Sequence, residues 1–220
     1  MDPKGQSLLN LLFNPGEEVC VSNSQWAYGS IPLETALNGP IELISPNKDI
    51  SPVHCDSSEL LLCSINPIVG FRSDKNVQKF RSYLIEMDEG SLKNQLDYLK
   101  YLKMPWSVQV FSGNRSIHTV ICLSEDLSDE KTYRSIGDWI FKIVSEADSN
   151  CRNASRMVRI PGAYREPGKK QRLISIKDRV SHKELFSWLK KYEHLRPQAK
   201  EKKIIVQGNE DFSRLSPWCR

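Results

Sequence analysis

The stretch that most limits what this chain can become is SVQVFSGNRSIHTVICL, residues 107–123. Two apolar, β-forming runs, 107–111 and 117–123, flank a turn built on Gly113 and Asn114. That pattern closes on itself as an antiparallel hairpin, so the fold must contain an antiparallel sheet. Gly and Asn are enough to make the turn. The hydroxyls of Ser112 and Ser116, the guanidinium of Arg115 and the imidazole of His118 are surplus to it and mark the hairpin as a candidate site.

Around this hairpin the hydrophobic period alternates between strand and helix. Residues 7–13 fit a short helix. EVCVSNSQWAY (18–28) reads as a second hairpin with an Asn-Ser turn, ELLLCSIN (59–66) as a buried strand, and RSYLIEMD (81–88) as a strand running into charge. In SLKNQLDYLKYLK (91–103), Leu92, Leu96, Leu99 and Leu102 share one helical face. A longer helix over 129–148 carries Tyr133, Ile136, Ile140, Ile143 and Ala147 on its apolar side, with Ser128 as the expected N-cap. RLISIK (172–177) fits a strand. SHKELFSWLKKY (181–192) fits a Ser-capped helix burying Leu185, Trp188 and Leu189. Strands and helices mixed in this way, with hairpins, indicate an α+β fold. Residues 195–203 read as a linker or tail.

Charge is unevenly spread. Residues 156–203 hold 15 Lys/Arg against 5 Asp/Glu, while the rest of the chain holds 16 against 22. A basic third on an acidic body suits a polyanionic partner, and equally a solvated helix face with a basic tail. No apolar run approaches the roughly 20 residues of a membrane span, and the N-terminus lacks a signal peptide's cleavage pattern. The six cysteines form no C-x-x-C pair, and several sit in apolar runs. A reducing, cytoplasmic setting is expected. His54, Cys55 and Cys63 match no common zinc spacing, so zinc is not expected.

Three further groups could carry chemistry. Glu86 and Asp88, two apart on the expected strand, point to one face, where their repulsion calls for a cation such as Mg²⁺ or Mn²⁺. Taken alone, EMDEG also fits a strand ending in a solvated acidic loop. Asp148, at the expected end of the long helix, opposes the helix dipole and would be explained by facing the same metal, although an exposed helix-end acid is also common. RIPGAYREPGKKQR (159–172) sets Arg159, Arg165, Lys169, Lys170 and Arg172 among two Pro-Gly turns, a loop suited to phosphate or template backbone, and taken singly equally an ordinary basic β-turn loop.

In this order the motifs resemble the catalytic core of the archaeo-eukaryotic primase superfamily, in its phage- and plasmid-type primase-polymerase form. LIEMD matches the acid-x-acid motif, SGNRSIH the small-residue turn ending in His, and Asp148 the third acid, followed by an Arg-x-Pro-Gly segment. The likeness spans roughly residues 60–180. Motif I in this family often begins with Asp, where this chain has Glu86. The resemblance implies a mainly antiparallel, RNA-recognition-like central sheet flanked by helices, with an N-terminal α/β unit. The catalytic domain would cover 1–180, with its motifs within 81–172, and 181–220 would be a C-terminal helix and basic tail, either an accessory piece or a link to a further domain. It implies template-directed nucleotidyl transfer in phage or plasmid DNA replication inside a bacterial host. Glu86, Asp88 and Asp148 would hold Mg²⁺ or Mn²⁺, and Ser112, Arg115, Ser116 and His118 would bind the nucleoside triphosphate. Arg159, Arg165, Lys169, Lys170 and Arg172 would contact triphosphate or single-stranded DNA template. A replicative helicase, in the same chain or in trans, is an expected partner. A metal-dependent nuclease and a non-catalytic origin-binding replication protein use similar groups and remain the alternatives.

Overall fold

A computed structural model describes residues 1–23, 29–47 and 51–197. Helix α1 (Pro3–Leu12) leads into β1 (Glu18–Ser22), followed by β2 (Ser30–Pro32), α2 (Leu33–Asn38) and the ribbon of β3 (Ile41–Leu43) and β4 (Val53–Cys55). Then come β5 (Leu62–Ser64), β6 (Ser82–Ile85), α3 (Leu92–Tyr101), β7 (Val108–Phe111), β8 (Ile117–Cys122) and α4 (Glu130–Ile143). The chain continues through β9 (Met157–Arg159), β10 (Arg172–Ile176) and α5 (His182–Lys190).

Two four-stranded sheets result, ordered β2-β1-β5-β9 and β10-β7-β8-β6, with every pairing antiparallel. The architecture is the α+β arrangement read from the sequence, with the antiparallel strands split between two sheets. Strand alternation gives the second sheet two distinct faces. On one, Tyr83 stacks flat on Tyr133 of α4 with ring centroids 4.4 Å apart, and Gly137 leaves room for that ring. On the other, His118 and Cys122 face the first sheet and α1: the His118 ring meets the backbone N–H of Arg159, and Cys122 Sγ meets the Leu11 carbonyl. Helices therefore cover one side and the first sheet the other.

Two polar side chains sealed between these layers are fully partnered. Asn66, fully buried, donates to the carbonyls of Ser82 and Ala154 and accepts from the N–H groups of Arg81 and Ser82. Arg81, 1% exposed, is held by Glu17 from the N-terminal unit and by Asp126. Five free cysteines, Cys20, Cys55, Cys63, Cys122 and Cys151, are buried, and burial raises the thiol of each. Among the described residues no helix is long and apolar enough to cross a membrane.

Several boundaries differ from expectation. Helix α4 is capped by Asp129, one residue after Ser128: its carboxylate accepts from Thr132 N–H, and the Ser128 hydroxyl donates to it instead. The helix stops at Ile143 because Val144 leaves helical geometry (φ −93°, ψ 68°), so it does not reach Asp148. β1 pairs with Ser30–Pro32, while the expected turn and return arm fall largely on 24–28, outside the described residues. The tail from 198 onward, with Cys219, also lies outside them. α5 docks through Leu185, Trp188 and Leu189, and the Trp188 indole N–H bonds the Leu102 carbonyl.

Candidate active site

β6 ends at Ile85, short of the expected strand, because the backbone of Glu86 has another partner. The Asp148 N–H donates to the Glu86 carbonyl at 2.8 Å. One backbone hydrogen bond thus brings together two acids 62 residues apart. Asp148 itself is not a helix-end acid opposed by a dipole. It caps a short 3₁₀ turn over Ser149–Arg152, accepting from Asn150 N–H, where negative charge is favoured. The extended chain still alternates past Ile85: Met87 is buried and Glu86 and Asp88 turn the other way, into one pocket.

That pocket, about 400 Å³, lies between the sheets. Glu86, Asp88, Asp148, Arg115, Ser116 and His118 line it from the second-sheet side, and Leu62, Met157 and Arg159 from strands of the first. Arg165 also reaches it. Five arginines there confront three carboxylates.

The hairpin supplies a connected set of groups. His118 Nδ1 accepts from Arg159 N–H at 3.4 Å, which leaves Nε2 as the protonated nitrogen, 3.2 Å from Glu86 Oε1. The Ser116 hydroxyl donates to the same carboxylate oxygen at 2.7 Å. Burial works to raise the Glu86 carboxyl, but His118, Ser116 and Arg156 more than offset it and hold it at about 2. Asp88 lies 3.4 Å from Arg115, and Arg156 stands 3.7 Å from Asp148 and 3.9 Å from Glu86. Burial, then Arg165 nearby, lowers the Arg159 guanidinium, while Glu86 acts the other way. Positive charge this crowded favours an anionic ligand.

Not every expected residue reaches the pocket. Ser112 is 2% exposed and sits behind it, its hydroxyl accepting from Ser116 N–H and 3.0 Å from the Ser116 hydroxyl. Lys169 pairs with Glu166, Lys170 lies over Tyr164, and Arg172 lies over Phe111 on edge strand β10, so none of the three lines the wall. Gly113 is fixed by more than the turn. Its φ is +84°, and a Cβ there would stand 2.7 Å from the Lys169 carbonyl oxygen.

Three contributors escaped the sequence reading. Arg156 precedes β9 inside the basic run, where its proximity to Arg159 was the available signal. Arg72 comes from the loop after β5 and has no local signal at all. Gln95, 2% exposed on α3, accepts from Ile117 N–H and donates toward the carbonyls of Arg115, Glu89 and Gly90. It ties the hairpin to the loop following Asp88.

The acids are spaced by their cations. Among the described residues, no three Asp, Glu, His or Cys side chains stand close enough together to grip one ion as placed. The all-oxygen donor set of Glu86, Asp88 and Asp148 nevertheless suits Mg²⁺ or Mn²⁺ in kind.

Comparison with solved structures settles the fold. The archaeo-eukaryotic primase domain of the cyanophage S-2L primase-polymerase superposes with a TM-score of 0.60 at 15% identity, over 84% of this chain and 96% of that one. The fold is that of an archaeo-eukaryotic primase-type domain. The catalytic domain of primase Repb', solved in complex with initiator DNA, superposes more loosely (TM-score 0.45, 10% identity, 90% of this chain and 100% of that one). No family model and no curated protein matches the sequence. Within this primase-type fold the two sheets supply opposite walls of the candidate pocket.

Proposed function

We propose that the chain performs template-directed, divalent-metal-dependent nucleotidyl transfer, as a DNA primase or primase-polymerase of phage or plasmid replication acting in a host cytoplasm. One observation carries this reading: Glu86, Asp88 and Asp148 line the same pocket as His118 and five arginines, within a primase-type fold.

Glu86, Asp88 and Asp148 would hold Mg²⁺ or Mn²⁺, beside Arg115 and Arg156. When bound, the ion would neutralise the triphosphate and favour ionisation of the attacking 3′-hydroxyl. His118 Nε2–H and the Ser116 hydroxyl, which meet Glu86 Oε1, are the donors that would be offered to phosphate oxygens. Arg115 and Arg165, which line the pocket, would clamp the triphosphate and hold the reacting phosphorus in line. Arg159 anchors His118 through its backbone and adds charge through its side chain. Ser112 acts behind Ser116. Lys169, Lys170 and Arg172 lie beyond the pocket wall and would meet the single-stranded template rather than the triphosphate. A replicative helicase, joined or separate, would supply that template.

The test is incubation with single-stranded DNA, ribo- or deoxynucleoside triphosphates and Mn²⁺ or Mg²⁺, with and without a preformed primer. Labelled dinucleotides or extended primers are expected. Asp88→Ala and His118→Ala should each cut product on the order of 10²-fold or more while leaving the fold intact. DNA cleavage without any triphosphate would replace this reading with a nuclease. Full synthesis in both variants would remove the site assignment.

A further inference from the structure

Glu86 and Asp148, the two acids joined through their backbones, divide their carboxylate oxygens in the same way. Glu86 Oε1 accepts from the Ser116 hydroxyl at 2.7 Å and stands 3.2 Å from His118 Nε2. Asp148 Oδ1 accepts from the N–H and the side-chain amide of Asn150, both at 2.9 Å. The remaining oxygens, Glu86 Oε2 and Asp148 Oδ2, face one and the same atom. Arg156 Nη2 lies 3.9 Å from the first and 3.7 Å from the second. Neither distance is a hydrogen bond, so the nitrogen stands between the carboxylates as a cation held by charge. The Cys151 thiol, 3.8 Å from Glu86 Oε2, adds no charge, since burial pushes it up to about 12.

The arginine is fixed where it stands. Its N–H donates to the Asn153 carbonyl at 3.2 Å, and its carbonyl accepts from the Ile65 N–H at 2.9 Å, just ahead of β9. The side chains of Arg156, Glu86 and Asp148 are 28, 15 and 18% exposed, against 68 and 49% for the Arg115–Asp88 pair. Water and salt therefore screen the Arg156 contacts less. Arg159 and Arg165 line the same pocket, yet among the described residues neither forms an ion pair with Glu86, Asp88 or Asp148 within 4.0 Å.

A divalent ion coordinated by both acids needs the oxygens that Arg156 faces, because the other two already serve neutral donors and the imidazole. One cation stands where those oxygens converge. We propose that Arg156 sets how tightly the acids bind a divalent ion: its guanidinium stands in for the ion between Glu86 and Asp148, so that the chain binds the bare ion weakly. The inference rests on the catalytic reading of these acids and adds to it a residue that opposes ion binding. The apparent affinity is lowered by the fraction of molecules in which the two oxygens are engaged.

The test titrates Mn²⁺ alone, without nucleotide, into the whole chain and follows the free ion by electron paramagnetic resonance. Arg156→Gln should tighten binding about tenfold or more. Arg156→Met, of similar reach and also uncharged, should do the same. Arg165→Gln removes an equal charge from the same pocket without touching the acids, and should tighten binding by less than about threefold, because its effect is screened. Asp148→Asn should weaken binding. Circular dichroism confirms folding of each variant. In EDTA, Arg156→Gln should melt below the natural protein, and saturating Mn²⁺ should raise its melting temperature by more than it raises that of the natural protein. Unchanged or weaker Mn²⁺ binding in the folded Gln and Met variants, with Asp148→Asn still weakening it, would overturn this proposal and leave the catalytic reading standing. So would an equal gain in Arg165→Gln, since bulk charge alone would then explain the effect. No Mn²⁺ binding in the natural protein or in either Arg156 variant would overturn the ion site itself, and this inference with it.

Discussion

Replacing Gln95 by Met keeps nearly the same volume and removes every polar contact the side chain makes. The cost follows from burial. Ile117 is 1% exposed, and its N–H has Gln95 Oε1 at 3.0 Å as acceptor. Leaving that donor buried and unpaired costs about 1–3 kcal/mol. The carbonyls of Glu89, Gly90 and Arg115, which accept from Gln95 Nε2, belong to exposed residues and can turn to water. Their loss together adds about 1 kcal/mol. The sum is about 2–4 kcal/mol, a large share of the roughly 5–15 kcal/mol that holds a domain folded. Urea unfolding followed by circular dichroism should show the midpoint falling by about 1 M, for a slope near 2–3 kcal/mol per M. The Ile117 amide should lose hydrogen-exchange protection along with it. Nucleotidyl transfer should fall too, since Ser116 and Arg115 sit on the freed turn. A loss below about 0.5 kcal/mol, with Ile117 still protected, would refute the clamp.

Two other outcomes follow from the same site. Glu86 is held at about 2 from an ordinary 4.5, so its contacts stabilise the fold fully above the ordinary value and are lost as pH falls through about 2. In EDTA, the melting-temperature advantage of the natural protein over Glu86→Gln should therefore be greatest above about pH 5 and shrink toward pH 2, from at most about 3 kcal/mol; a pH-independent gap would contradict the assignment. Gly113→Ala forces a side chain into a left-handed conformation and against a backbone oxygen that cannot rotate away, so a loss on the order of 2–3 kcal/mol is expected in thermal unfolding, and an unchanged melting point would show that the hairpin and the 163–170 loop do not touch as described.

What the sequence revealed was mostly what local chemistry encodes. The hairpin around Gly113, the apolar face of α4 and the Ser181 cap of α5 depend on spacing along one segment, and each formed as expected. The acid pair was legible for the same reason, because alternation survives even where the ladder ends. Asp148 was found, but its setting was not. Ala147 kept the helical period going on paper, while Val144 had already left the helix. Arg72 and Gln95 could not be read at all, since each acts on residues brought near only by the fold. Nor could spacing separate Arg159 and Arg165 from Lys169, Lys170 and Arg172. Strand β9 delivers Arg159 to the pocket and the loop after it delivers Arg165, while an acid and two aromatic rings engage the others.

The order in which strands enter the sheets has a consequence for how the molecule can fail. The chain lays β1, β2 and β5 in one sheet, β6 to β8 in the other, then returns to the first for β9 and to the second for β10. Neither half can be peeled off as a contiguous stretch, so local opening on either side dismantles both walls of the cleft at once. Partially melted molecules should thus be wholly inert rather than error-prone, and a truncation that spares every acid but ends before β9 would remove Arg159 and Arg165 from the opposite wall.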